Sequence, residues 1–175
     1  MTRTVLPVYS LDASALFDLF DYYPADRFGP IWTGLDELIK QGRLIMVEQA
    51  VGECLDPNSS AWLRTRRSII VRFSPELNDC MLEIMADLTA ASLMLVNPRK
   101  TRNEADPFVI AAAIAYNRQI NGGNDGPTVV LSSEKAAPEN ATNVKIPNVC
   151  ARYKIRCMNL LEMMREENWR FSSFD

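Results

Sequence analysis

The chain has 175 residues, 47% of them hydrophobic and 23% charged, with a formal net charge of −3. That is enough for one globular domain with its own core and too little for two. It contains no histidine, which excludes His-ligated zinc and every Ser-His or Cys-His catalytic pair.

Val5 to Leu11 is a short apolar run ending at Asp12, and it reads as a buried first strand. Ala13, Leu16, Phe17 and Phe20 recur at helical spacing directly after it. Pro24 and Asp26 lead into a second helix, with Phe28, Ile31, Trp32, Leu35, Leu38 and Ile39 along one apolar stripe. Gly42 ends that helix. Leu44–Val47 is a second strand, and Glu48–Leu55 a third short helix. After Asp56-Pro57-Asn58, Ser59 or Ser60 caps a helix over Ala61–Arg67. Ser74-Pro75-Glu76 starts another, which runs to about Ala91 with Leu77, Met81, Ile84, Met85 and Leu88 on one face.

Residues 97–104 are polar and basic and read as a loop. Asp106-Pro107 then opens a helix that is apolar almost all round, so it is expected to be buried. Residues 121–127 form a turn rich in glycine and asparagine, followed by Thr128–Leu131 as a central strand. Glu134–Val144 reads as a loop, Ile146-Pro147-Asn148 as the start of a short helix, Ile155–Met158 as a last strand and Leu160–Glu167 as a last helix. This alternation predicts one α/β domain over residues 1–175, in three layers, with a central parallel sheet flanked by helices.

No stretch reaches bilayer-spanning length; Phe108–Tyr116 is the longest candidate and reads as a core helix. Met1–Leu6 lacks the apolar core of a signal peptide. The expected compartment is the cytoplasm, with Cys54, Cys80, Cys150 and Cys157 as reduced, mostly buried thiols. Trp32 and Trp62 lie on apolar helix faces and read as core rather than as base-stacking platforms.

Four carboxylates stand where a strand ends or a helix begins: Asp12, Glu53, Asp106 and Glu134. In a parallel sheet such points lie at the carboxyl edge, where the four would converge. Clustered carboxylates repel one another unless a cation is present, and Mg²⁺ or Mn²⁺ are the hard ions that take oxygen ligands. The alternatives are ordinary: Asp12 and Asp106 as helix caps, and Glu53 on a solvated helix face.

The segments Tyr-Ser-Leu-Asp12-Ala-Ser14-Ala-Leu, Val-Gly-Glu53, Ala-Asp106-Pro-Phe-Val-Ile-Ala-Ala-Ala and Val-Val-Leu-Ser132-Ser-Glu134 together resemble a PIN domain. The resemblance extends to the Trp32 and Trp62 regions and to Ile-Pro-Asn-Val-Cys150, as in a bacterial subgroup. PIN domains are metal-dependent ribonucleases, and many bacterial ones are the toxin halves of toxin–antitoxin pairs. On that resemblance Asp12, Glu53 and Asp106 match the three acidic ligands, and Ser14 the small hydroxyl residue beside the first. Glu134 departs from the pattern, which more often has an Asp after a Thr-x step.

The resemblance implies a Mg²⁺/Mn²⁺-dependent endoribonuclease with an RNA substrate, an antitoxin partner and a homodimeric state. In that chemistry Asp12 and Asp106 hold the ion, Glu53 positions it or takes a proton, and Ser14 orients Asp12. Glu134 takes a second ion or only its water. The candidate RNA contacts are Arg64 and Arg67, with Arg66 between, and Arg99, Lys100 and Arg102; the alternative for each run is a solvated charged face. Two other functions use the same residues: a phosphatase or DNA nuclease on the same carboxylates, and a catalytically silent scaffold that binds RNA or protein.

Overall fold

Short β-branched and apolar runs build the centre of the molecule, which the computed structural model describes over residues 5–95 and 105–169. Five strands form one sheet: β1 (Val8–Leu11), β2 (Leu44–Val47), β3 (Ile70–Val71), β4 (Thr128–Leu131) and β5 (Arg156–Met158). Their order is β3-β2-β1-β4-β5 and every pairing is parallel. β2 and β4 are buried at every position, because helices cover a parallel sheet on its faces.

Eight helices flank the sheet among the described residues: α1 (Ala13–Tyr22), α2 (Gly29–Lys40), α3 (Glu48–Val51), α4 (Pro57–Thr65), α5 (Pro75–Ala90), α6 (Asp106–Asn121), α7 (Ile146–Arg152) and α8 (Leu160–Glu166). α6 is the most buried; Val109, Ile110, Ala111, Ala112, Ala113 and Ile114 are almost wholly enclosed. It packs against α5 and against β1, β2 and β4. Gly122, at φ +76°, closes it in the left-handed conformation that glycine adopts without a Cβ penalty. Among the described residues no helix is long and apolar enough to cross a membrane.

The expected α/β architecture is the observed one, with four local corrections. The first strand starts at Val8, since Val5 and Leu6 are exposed. Asp56, rather than Ser59 or Ser60, caps α4: its carboxylate accepts from the amides of Asn58 at 3.0 Å and Ser59 at 2.9 Å, with Pro57 at the first helical position. α3 ends at Val51, so Glu53 lies in the turn beyond it and not on a helix. β3 is only two residues long and half-buried, too short to leave a periodicity.

The tryptophans belong to the core side of the structure. Trp62 is buried, its ring meets Trp32 edge-on at 6.2 Å, and Trp32 packs on Phe20 at 4.9 Å. Cys54, Cys80 and Cys150 are buried free thiols and Cys157 is half-buried.

The C-terminal segment is fastened across the sheet from its own helix. Glu167 accepts from the hydroxyl of Tyr9 at 2.6 Å and pairs with Arg43, whose Nε donates to the carbonyl of Pro7 at 2.8 Å. Two residues on, the indole of Trp169 lies over Gly34 of α2, and a Cβ placed there would stand 2.5 Å from the ring. A helical Gly→Ala change ordinarily stabilises by about 1 kcal/mol. Here Gly34→Ala is expected to do the opposite, destabilising by about 1–3 kcal/mol through overpacking, with a red-shifted tryptophan emission as Trp169 is displaced. Urea unfolding followed by fluorescence checks both.

Candidate functional site at the carboxyl edge

The chain runs outward from β1 to β2 and β3, then crosses to β4 and β5 on the other side. The reversal leaves a crevice between β1 and β4 at the carboxyl edge, the place where open α/β sheets bind ligands. Leu11 pairs with Leu131 at the end of both strands, so Asp12 and Ser132 are the residues that enter this crevice.

Asp12 occupies the N-cap position of α1, yet its carboxylate does not cap the helix. It is 4% exposed, and its Oδ2 accepts instead from the hydroxyls of Ser14 and, at 3.1 Å, Ser132. The two hydroxyls lie 3.3 Å apart, and the amide of Ser133 donates to Ser14 Oγ at 3.0 Å. Burial pushes the Asp12 carboxyl above its ordinary value, the two hydroxyls oppose that, and the nearby Glu134 adds to it. No cation pairs with Asp12 among the described residues.

Glu53 and Asp106 are brought together by a backbone contact. Glu53 Oε1 accepts from the amide of Ala105 at 3.1 Å, and Ala105 is the N-cap of α6. Asp106 is therefore the first helical residue rather than the cap. Both side chains are half-buried. Cys54, next to Glu53, is buried and its thiol is pushed up to about 12, mainly by burial and further by Asp56, Glu53 and Asp12. A thiol held protonated in this way is unreactive. Both Glu53 and Asp12 act on this thiol electrostatically.

Glu134 follows β4 near Asp12, its own amide donating to Ser132 Oγ at 3.2 Å. Its two carboxylate oxygens accept from Lys145 Nζ at 3.1 Å and from the amide of Ile146, at the start of α7, at 3.0 Å. Glu134 thus joins the loop after β4 to α7. Among the described residues no three acidic or thiol groups stand close enough to hold a metal ion together. Arg64 and Arg67 are exposed beside a groove next to α3. Arg99, Lys100 and Arg102 lie outside the described residues.

Ser132 has a role that its spacing alone did not assign: it is Asp12's second hydrogen-bond donor. The available signal was two serines directly after an all-buried strand, since polar residues at that point face the crevice rather than the core. Lys145, which holds Glu134, carries no comparable sequence signal.

A buried carboxyl whose native pKa is raised binds its proton more tightly folded than unfolded. Stability is then greatest below the ordinary value of 3.8 and falls as pH rises from there toward the raised native value. Asp12→Asn keeps an acceptor for the serines and removes the buried charge. It is expected to raise the melting temperature at neutral pH in EDTA, with the gain vanishing at pH values below 3.8. Thermal melts of both proteins across that range check the sign.

No curated protein matches the chain in sequence. Among solved structures, the chain is similar to VapBC2 from Rickettsia felis, crystallised bound to a DNA fragment from their promoter. The two are 14% identical, with a TM-score of 0.53, over 87% of this chain and 98% of that one. At this identity the likeness speaks for the fold, which is PIN-like. The family model described as "Domain of unknown function (DUF4411)" matches residues 9–171, nearly the whole chain, and the protein belongs to that family.

Proposed function

We propose that this protein is a metal-dependent endoribonuclease that hydrolyses RNA phosphodiesters at the carboxyl edge of its sheet. The observation that carries the reading is Asp12: an enclosed carboxylate at the switch point, held by two hydroxyls and paired with no cation among the described residues. Burying an uncompensated charge costs free energy, so a fold that keeps one at a crevice has a use for it.

The donor chemistry suits a hard divalent cation held by two carboxylates and water, since no three acidic groups among the described residues stand close enough to hold one together. Asp12, Asp106 and Glu53 offer only oxygen, the ligand type of Mg²⁺ and Mn²⁺, and histidine and exposed thiolate are absent from the crevice. Asp12 and Asp106 would hold the ion. Bound there, it would supply positive charge to offset the phosphodiester and acidify an attacking water. Glu53 would position the ion or take a proton from the attacking water. Ser14 and Ser132 keep Asp12 turned into the crevice, a positioning role. Glu134, already engaged by Lys145 and α7, holds the far wall of the crevice and belongs to the water shell rather than to the first ligands.

The setting follows from the PIN resemblance: a bacterial toxin restrained by a small antitoxin. An acidic toxin calls for a partner that docks mainly by apolar helix-in-groove contacts. A second copy of the chain is the other partner this reading includes.

The test is cleavage of a mixed RNA pool by wild type, Asp106→Asn and Ser132→Ala, each with Mn²⁺ and with EDTA. Wild type with Mn²⁺ is expected to cleave, Asp106→Asn and all EDTA arms to be silent, and Ser132→Ala to be slower by about 10- to 100-fold. Equal cleavage by wild type and Asp106→Asn would sink the proposal. Silence of every arm, together with no Mn²⁺ binding by calorimetry, would make the fold a non-catalytic scaffold.

A further inference from the structure

The carboxyl edge carries a second feature, two strands away from Asp12. In a parallel sheet the residues that follow each strand share one edge, so Arg72 after β3, Glu48 after β2 and Asp12 after β1 lie in a row. Neighbouring strands are about 4.8 Å apart, which puts Arg72 about 10 Å from Asp12 along the edge. Between α3, α4 and β3 lies an open groove of about 490 Å³. Val51, Leu63 and Ile70 give it apolar walls, Arg64, Arg67 and Arg72 stand exposed around it, and Glu48 is its one acidic lining residue among the described ones.

Three arginines stand together here without a carboxylate partner among the described residues, whereas Arg165, also unpaired there, stands alone on α8. Arg27, Arg43, Arg66, Arg118, Arg152 and Arg156 each pair with a carboxylate. Arg64, Arg67 and Arg72 have no carboxylate partner among the described residues, although the chain as a whole is acidic. Three guanidinium groups against the single Glu48 carboxylate leave the groove net positive, which favours a polyanion. Beside Arg72, Phe73 is 53% exposed, its amide fastened to Glu48 Oε1 at 3.0 Å. An exposed aromatic ring on a fixed backbone next to cations is the arrangement on which unpaired bases stack.

We infer that the groove of Arg64, Arg67 and Arg72, with Phe73 at its end, is a binding tract for single-stranded nucleic acid. It leads a strand along the sheet edge to Asp12. The inference rests on the nuclease reading for its substrate. The guanidinium groups take the backbone phosphates, and the apolar walls and Phe73 take unstacked bases. A duplex keeps its bases inside the stack and offers the groove only phosphates, so the tract selects single strands.

The experiment is fluorescence anisotropy with a labelled single-stranded oligoribonucleotide of about 12 nucleotides. It is run in EDTA so that binding is read without cleavage, over a range of salt. The triple variant R64A/R67A/R72A is expected to flatten the log Kd against log salt slope by about 2, roughly 0.7 for each lost contact. Phe73→Ala is expected to weaken binding on the order of tenfold without changing the slope. A fully paired duplex of the same sequence is expected to bind wild type about tenfold more weakly than the single strand. Lys154→Ala and Arg165→Ala remove exposed, unpaired cations elsewhere and are expected to change nothing.

An unchanged slope in the triple variant overturns the tract, as does an equal loss in the two control variants. Tighter binding of a polyglutamate peptide than of the oligonucleotide overturns it too, and assigns the groove to an acidic protein segment. Since these readouts need no catalysis, failure of Asp106→Asn to abolish cleavage would sink the nuclease and leave the tract standing.

Discussion

Every strand among the described residues runs the same way, and that single constraint places everything else. Parallel strands must each be followed by a crossover, so the residues that leave the strands collect on one edge of the sheet. Asp12, Glu48, Arg72, Ser132 and Asn159 stand there for no other reason than that they follow β1, β2, β3, β4 and β5. The reversal between β1 and β4 then opens a crevice beside the two enclosed ones, Asp12 and Ser132. α6 completes the arrangement by bringing Asp106 to the same edge, its start tied to Glu53 through the Ala105 amide.

The energetics of Asp12 set function against stability. A carboxylate with 4% exposure, held by hydroxyls and by no cation among the described residues, is an expensive residue to keep ionised. An aliphatic side chain would pack the same position at lower cost. Ser14, Ser132 and the Ser133 amide form a connected set that fixes the orientation of this carboxylate without neutralising it. Glu134 is treated differently: Lys145 and the start of α7 take up its charge. Two acids close in space thus have opposite environments, one compensated and one not.

Net charge is a poor guide to such a surface. The chain is acidic overall, yet its arginines divide into those paired with carboxylates and a cluster that is not. Arg66 turns away from its neighbours to meet Asp36 and to cover the ring of Trp62 at 4.7 Å. Arg64, in the last turn of α4, and Arg67, just past its end, line the groove instead. A run that looks uniform in the sequence is split in space between a structural role and an open electrostatic one.

Much of the fold was legible in the chain because its signals are local. The apolar runs of β1, β2 and β4, the Ser74-Pro75 start of α5 and the all-round apolarity of α6 depend on neighbours a few residues away, and each reads correctly. β3 was invisible, since two half-buried residues carry no period. The site was legible only as a set of positions: residues after strands, carboxylates and serines among them. Which oxygen meets which hydroxyl was decided by contacts across more than a hundred residues, as between Ser132 and Asp12 or Ser133 and Ser14. Sequence by itself determined the alternation of elements and the oxygen-rich chemistry of the edge. Tertiary structure alone decided that Asp12 is enclosed and unpaired, that Glu134 is compensated and that Arg72 joins Arg64 and Arg67, because burial and pairing are properties of neighbours that only the folded sheet brings together.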